Sequence, residues 1–378
     1  MNPKQISYPP VRIGIIGCGN VMRDSYMALA EQLACREQVK IICACDIDPA
    51  KKEMVKERFG IDSFSTDYRD IITREDVDLV LILTSMQEHF EITKAALNAG
   101  KHVLVEKPMA TNLAEAQELL ALAKTSPGHL LPAPHIILSP TFGAIWGRIQ
   151  RGDIGKVYLA RAMYGWSGPD WGEWFYRPGG GSLFDLGVYN VISLTGLLGP
   201  AKRVTAMVGT AIPERVVNGK TMAVQVDDNA HVLLDFGDSV FAVVTTGFTI
   251  QKYRNPAIEL YGAKGTIQMM GDDWDPDGYE MWQNDSSSWQ VFGETDANWP
   301  WTDGLRHFVE CIQQGTTPMV TPEHHYHALE IMIKAMEAGK DGQARLIEST
   351  FTPLRLSLED IDPVAAHRVH IRGHKNEL

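Results

Sequence analysis

The sequence predicts an α/β protein of two domains. The first, residues 1–133, is a doubly wound parallel sheet; the second, 134–351, is α+β with a mainly antiparallel sheet. Three observations carry this. Short apolar runs alternate with helical patterns through 11–133. Beyond "GHLLPAPHIILSP", where three prolines and a glycine interrupt the pattern, long β-patterned runs follow one another across short glycine turns. The length, 378 residues, is enough for two cores and too much for one compact set of layers.

In order, "VRIGIIG" reads as a strand and "YMALAEQLA" as the helix after it. "VKIICACD" is the next strand, then the helix "PAKKEMVKERFG", closed by Gly60. "VDLVLILT", "HFEITKAALNAG", "KHVLVEKP" and "NLAEAQELLALAK" repeat the alternation, which requires crossover helices on both faces of a parallel sheet. In the second domain a helix near Thr141–Gln150 precedes the strand "KVYLARAMYG", an aromatic loop, and a helix containing Asp185. "KRVTAMVGTAI", "DNAHVLLDFG", "SVFAVVTTGFT" and "AIELYGAKGTIQMMG" supply an antiparallel sheet. Helices from "TDGLRHFVECIQQG" and "PEHHYHALEIMIKAMEAG" close the domain; the polar tail 352–378 is expected to lie over the surface.

The composition, 44% hydrophobic and 22% charged, is that of a folded globular chain. A formal net charge of −12 argues against nucleic acid or an anionic membrane as partner. Cys43 and Cys45 alternate along a strand, so they read as small core residues rather than metal ligands or a disulfide. An odd total of five cysteines fits a reducing compartment. No export signal or membrane-length apolar stretch is visible, and the terminal "HKNEL" carries no retention meaning without an export signal. The expected location is the cytoplasm.

"GIIGCGNVM" joins the first strand to the first helix. Gly17 permits the tight turn and Gly19 lets backbone approach a pyrophosphate, which would rest on the helix start at Asn20 and Val21. Met22 stands where the dinucleotide fingerprint has its third small residue. Asp46 ends the second strand, where a carboxylate accepts ribose hydroxyls and repels an added phosphate, so NAD is favoured over NADP. Lys51 and Lys52 are the residues that would admit NADP, and Asp46 as a plain strand-end cap is the alternative. Glu106 and Lys107 end a parallel strand at the ligand-binding edge of such sheets; a solvated surface lysine is the competing reading.

"GCGN", "GKHVLVEKP" and "GGGSLFDLGVYN" together resemble the Gfo/Idh/MocA family of oxidoreductases over nearly the whole chain. The resemblance implies an N-terminal Rossmann domain, a C-terminal domain with a large open sheet, and NAD(P)-linked chemistry on sugars or polyols. It also implies a homodimer or homotetramer built on the open sheet face. Lys107 matches the family lysine near nicotinamide and the reacting hydroxyl, and Asp185 matches its aspartate. Tyr189 stands at the family's histidine position, as in its glucose–fructose oxidoreductase and dihydrodiol dehydrogenase members. Thr84 and His89 fall on the cofactor side of the resemblance, His89 as a helix cap, although Ser85 and Met86 replace the usual Pro-Asn before it. His135 falls where relatives place polar residues toward substrate.

Alcohol oxidation needs a base for the hydroxyl proton. Tyr189 serves if Lys107 and a cationic nicotinamide ring bring its pKa down from about 10. Asp185 would then orient Lys107 or hold a neighbouring hydroxyl; alternatively Lys107 is the acid/base and Tyr189 positions substrate. The structural alternatives are a helix-start charge for Asp185 and a half-buried core phenol for Tyr189. Tyr164, Trp166, Trp171, Trp174 and Arg177 lie in or beside a Gly/Pro loop without core periodicity, which suits a carbohydrate pocket walled by Trp166 and Trp171. Aromatic oligomer contacts are the other reading. Glu323, His324 and His327 share a helical turn, but no ligand from a further segment accompanies them, so a solvated helix start is favoured and no metal is expected. Two functions compete with a carbohydrate dehydrogenase. One is a redox-neutral enzyme that cleaves or epimerises through a transient keto sugar. The other is a non-catalytic nucleotide- or sugar-sensing regulator.

Overall fold

A computed structural model describes residues 8–254, 256–296, 298–356 and 370–371. Two compact units part between Ala133 and Pro134. In the first, strands β1 (Val11–Ile16), β2 (Val39–Cys45), β3 (Phe64–Ser65), β4 (Leu79–Ile82), β5 (His102–Val105) and β6 (Leu130–Pro132) form a parallel sheet in the order 3-2-1-4-5-6. Ile13, Ile15, Leu79, Leu81, Val103 and Leu104 are fully buried, as strands covered on both faces must be. The helices are α1 (Met27–Cys35), α2 (Lys51–Phe59), α3 (Tyr68–Ile72), α4 (His89–Asn98) and α5 (Leu113–Thr125). Local chemistry sets their ends: Gly60 closes α2 with φ +66°, and the Asn112 side chain accepts the Glu115 amide at the start of α5. Strand order reverses between β1 and β4, so the loops after these two strands frame the crevice where such sheets take ligands.

The second unit opens with α6 (Pro140–Gln150), whose N-cap Ser139 accepts the Phe142 amide ahead of Pro140. Then come β7 (Val157–Gly165), α7 (Val188–Leu198), β8 (Arg203–Gly209), the hairpin β9 (Glu214–Val217) and β10 (Lys220–Ala223), β11 (Asn229–Gly237), β12 (Val240–Gly247), β13 (Ile258–Gly262), β14 (Gly265–Asp272), β15 (Asp275–Gln283) and β16 (Ser288–Gly293). The β9–β10 hairpin is a sheet of its own; the other strands, with β17 (Arg345–Leu346) and β18 (His370–Ile371), make a ten-stranded sheet in which β7 and β12 are the parallel pair. Ala230, Val232 and Leu234 of β11 are buried on one face while Leu233 faces out.

The sequence pattern assigns 302–322 to the second domain, but these residues belong to the first unit. The reason is α8 (Gly304–Gln314), whose Leu305, Phe308 and Val309 are buried in a helix packed on β1 and α1. The last helix, α9 (Pro322–Asp341), lies almost wholly in the second unit. Most of the expected surface tail, 352–378, falls outside the described residues. Among the described residues no helix is long and apolar enough to cross a membrane.

Candidate active site

In the first unit the glycine loop sits at the β1/β4 crevice. Gly17 has φ +97°, and a Cβ there would lie 2.6 Å from the Leu83 backbone, so only glycine fits between the loops after β1 and β4. At Gly19 nothing lies within 4 Å of a Cβ position, which leaves open space over the helix start at Asn20 and Val21. Residues Met22–Tyr26 form a π-helical turn before α1, with Met22 fully buried. Asp46 accepts the Cys18 amide on Oδ2 at 2.7 Å and the Asp48 amide on Oδ1 at 2.9 Å. Each oxygen keeps a lone pair, so the carboxylate can still accept ribose hydroxyls. Open space at Gly19, a helix start and an acceptor at the β2 end fit a dinucleotide.

The turn after β5 is braced from below. Tyr26 Oη, fully buried, donates to Glu106 Oε1 at 2.8 Å, and the Lys107 amide meets Glu106 Oε2 at 3.2 Å. The Lys107–Pro108 peptide is cis. His89 Nδ1 lies 2.7 Å from the Pro108 carbonyl and Nε2 lies 3.2 Å from the Thr84 carbonyl. Burial, against the pull of these carbonyls and aided by Lys107, lowers the His89 pKa to about 4. The ring is therefore neutral, and the shorter contact assigns its proton to Nδ1. His89 stands at the first position of α4, and its ring lies between the Pro108 and Thr84 carbonyls, where the neutral form donates to one of them, because it faces the loops after β4 and β5.

In the second unit Asp185 lies in a π-helical turn, Leu183–Gly187, that leads into α7, where Tyr189 is the second residue. Both are buried. The amides at this helix start are served by Asp227, which comes from the segment before β11. Its Oδ2 accepts Ser182 Oγ at 2.7 Å and the Leu183 amide at 2.9 Å. Gly181, φ +107°, brings the chain so close that a Cβ would lie 2.4 Å from Asp227 Oδ1. Asp227 thus brings a carboxylate from outside the helix to this helix start.

The Tyr164 ring meets Tyr189 edge-on at 5.7 Å and Trp274 at 6.3 Å. Burial first, then Tyr189, Asp185 and Asp273, hold its phenol pKa well above the ordinary value, so it stays protonated. Trp166 and Trp171 stack at 5.5 Å with 26° between planes, and Trp171 and Trp174 are partly solvent-facing. Phe175 and Tyr176 instead pack on Phe248, with Tyr176 fully buried and its hydroxyl on the Pro169 carbonyl. Arg177 is exposed and paired with Glu173. His135 is fully buried at the start of the unit.

Residues 11–131 match the model of an oxidoreductase family with an NAD-binding Rossmann fold, and 144–268 match the GFO/IDH/MocA C-terminal domain. The chain belongs to the Gfo/Idh/MocA family. Among its relatives, mouse trans-1,2-dihydrobenzene-1,2-diol dehydrogenase is 29% identical over 266 residues, 68% of this chain and 74% of that one. The dTDP-3,4-didehydro-2,6-dideoxy-alpha-D-glucose 3-reductase of Saccharopolyspora spinosa is also 29% identical, over 68% of this chain and 74% of its own. A levoglucosan dehydrogenase structure in complex with NADH and levoglucosan superposes with a TM-score of 0.76. It covers 90% of this chain and 100% of that one at 20% identity, a likeness of fold.

This Gfo/Idh/MocA chain also corrects one expectation. His324, His325 and His327 are buried, not solvated, because α9 turns them toward the core of its unit. His324 Nε2 meets Thr195 Oγ1 at 2.7 Å, and His327 Nε2 accepts the Ala201 amide at 3.0 Å. No group of metal-ligating side chains that could hold an ion is present among the described residues.

Proposed function

We propose that the protein oxidises a secondary hydroxyl of a sugar, polyol or related diol with NAD, using Lys107, Asp185 and Tyr189. The observation that carries this reading is the placement of Asp185 and Tyr189, both buried, one helical turn apart at the start of α7, with the Tyr164 ring against Tyr189. Relatives that act on a diol and on a nucleotide sugar support the substrate class. Asp46, at the β2 end, supports NAD over NADP.

Bound NAD supplies the hydride acceptor. Tyr189 takes the hydroxyl proton, and Lys107 holds the alcohol oxygen while its charge eases ionisation of the phenol. Asp185 binds a neighbouring hydroxyl or orients Lys107. Tyr164 remains a neutral hydrogen-bond donor beside Tyr189. The stacked Trp166–Trp171 pair offers a flat face for sugar C–H groups, with Trp174, Arg177 and His135 as further contacts. Gly17, Gly19, Asn20, Val21, Thr84, His89 and Glu106 shape the NAD side.

The reading includes a homodimer or homotetramer formed on the outer sheet face. Leu159 and Phe241 are cross-strand partners there, and Met207 (81% exposed) and Leu233 (54%) extend the apolar surface. A cytoplasmic location is supported by five unpaired thiols, of which burial pushes Cys18 and Cys45 up to about 12. The test is to incubate the purified protein with NAD or NADP and a panel of sugars, inositols and diols while following nicotinamide absorbance. Accumulating NADH supports the dehydrogenase; a sugar converted without it identifies a redox-neutral reaction.

A further inference from the structure

The turn between β14 and β15 consists of Asp273 and Trp274, flanked by the paired Asp272 and Asp275. Hairpin turns normally put polar side chains in water. Here Asp273 is 2% exposed and its Oδ2 accepts Asn190 Nδ2 at 2.7 Å. Asn190 follows Tyr189 in α7. On the other side of the turn, the Trp274 ring packs on Tyr164, which in turn presents its ring to Tyr189. One turn therefore grips the helix of Tyr189 through Asn190 and the Tyr189 ring through Trp274 and Tyr164.

We propose that Asp273 is a positioning residue for Tyr189, fixing α7 through Asn190 and setting the electrostatic field around the phenol. A buried hydrogen bond of this kind rigidifies the elements it joins. The groups facing Asp273 are Asn190 and Ser193 from α7, Asp272 beside it, Tyr253, whose hydroxyl donates to Asp272 at 2.6 Å, and Tyr164 from β7. None of these described groups is a cation, so the ionised carboxylate opposes ionisation of nearby phenols. Burial, opposed by the Asn190 hydrogen bond and reinforced by Asp272, raises the Asp273 pKa to about 7. Asp273 is thus charged over the range above neutrality in which a tyrosine base works.

This inference rests on the catalytic reading of Tyr189, but its test does not need turnover. The full chain is labelled with 13C at tyrosine Cζ, and the Tyr189 signal is assigned by its loss in Tyr189→Phe. Asp273→Asn keeps a hydrogen bond, because the Asn190 amide can turn to accept, and removes the charge. The Tyr189 titration then moves to lower pH. Asp273→Ala removes both and also displaces the Tyr189 signal at neutral pH. With an alcohol substrate, Asp273→Ala lowers kcat about 10- to 100-fold with NAD affinity unchanged, and Asp273→Asn restores most of it. Tyr189 signals that titrate and resonate alike in wild type and both variants overturn the inference. A moved titration in a protein that reduces no NAD keeps the inference and removes the catalytic reading instead.

Discussion

Buried His89 and Asp273 respond to acid in opposite senses. His89, His102 and His327 are each held down to about 4, chiefly by burial. The unfolded chain, with imidazoles near 6.5, binds more protons than the native one between these values, so stability falls as pH drops from about 6.5 to 4. Asp273, raised to about 7 from 3.8, contributes stability that is lost as pH rises from about 4 to 7. Asp227, Asp275 and Glu310 are raised as Asp273 is, but His307 and His324 are lowered like the three histidines, and Asp78, Asp235 and Glu330 are lowered too, so the loss on acidification dominates. Urea unfolding should therefore show midpoints declining from pH 6.5 to 4, and Asp273→Asn should be more stable than wild type at pH 8 and converge with it near pH 4. A wild-type midpoint that climbs toward pH 4 would contradict this balance. At this scale the sequence announces groups better than partners. Lys107, Asp185 and Tyr189 stand out by motif, whereas Tyr26 reaches Glu106 across 80 residues and Asp227 reaches Leu183 across 44. Such long-range pairings are settled by tertiary packing, which no local pattern encodes.

The helix after the glycine loop and the helix of Tyr189 both begin with a π-helical turn, Met22–Tyr26 and Leu183–Gly187. Such turns cluster at functional sites, and neither sequence signals one, because the apolar spacing also suits an α-helix. The β9–β10 hairpin is the opposite case. Its Asn218-Gly219 turn, φ +49° and +74°, is a strong local hairpin signal, and the strands are legible once it is noticed. This hairpin straps the aromatic loop: Arg215 donates to the Ser167 and Phe248 carbonyls, and Asn218 reaches the backbone of Asp170 and Trp171. The loop is thereby held as a rigid wall, with Trp166 and Trp171 as its stacked face. Losing an aromatic partner worth about 1 kcal/mol should raise KM for the carbohydrate roughly fivefold in Trp166→Ala and in Trp171→Ala, with NAD affinity unaltered. Unchanged KM in both would make the stack structural.

For the whole molecule, strand alternation in the first 133 residues and the later β runs were enough to infer both layers, since hydrophobic period is the strongest local signal. The return of 302–322 to the first unit was not legible, because an amphipathic helix shows which face it buries and not against which sheet. The outer sheet face predicts association: sedimentation of the wild type should show a dimer or larger, and Leu233→Asp with Phe241→Asp should shift it to monomer. A monomeric wild type would exclude that interface. The central claim, that Lys107 and Tyr189 act on an alcohol with NAD, is tested most directly by NADH formation in wild type, Lys107→Ala and Tyr189→Phe, with NAD binding measured in parallel. The account predicts NADH from wild type with a carbohydrate or diol, a fall in kcat of about 10²- to 10⁴-fold in each variant, and NAD binding retained. Absence of NADH formation by wild type across the panel, or near-normal turnover in both variants, would contradict it.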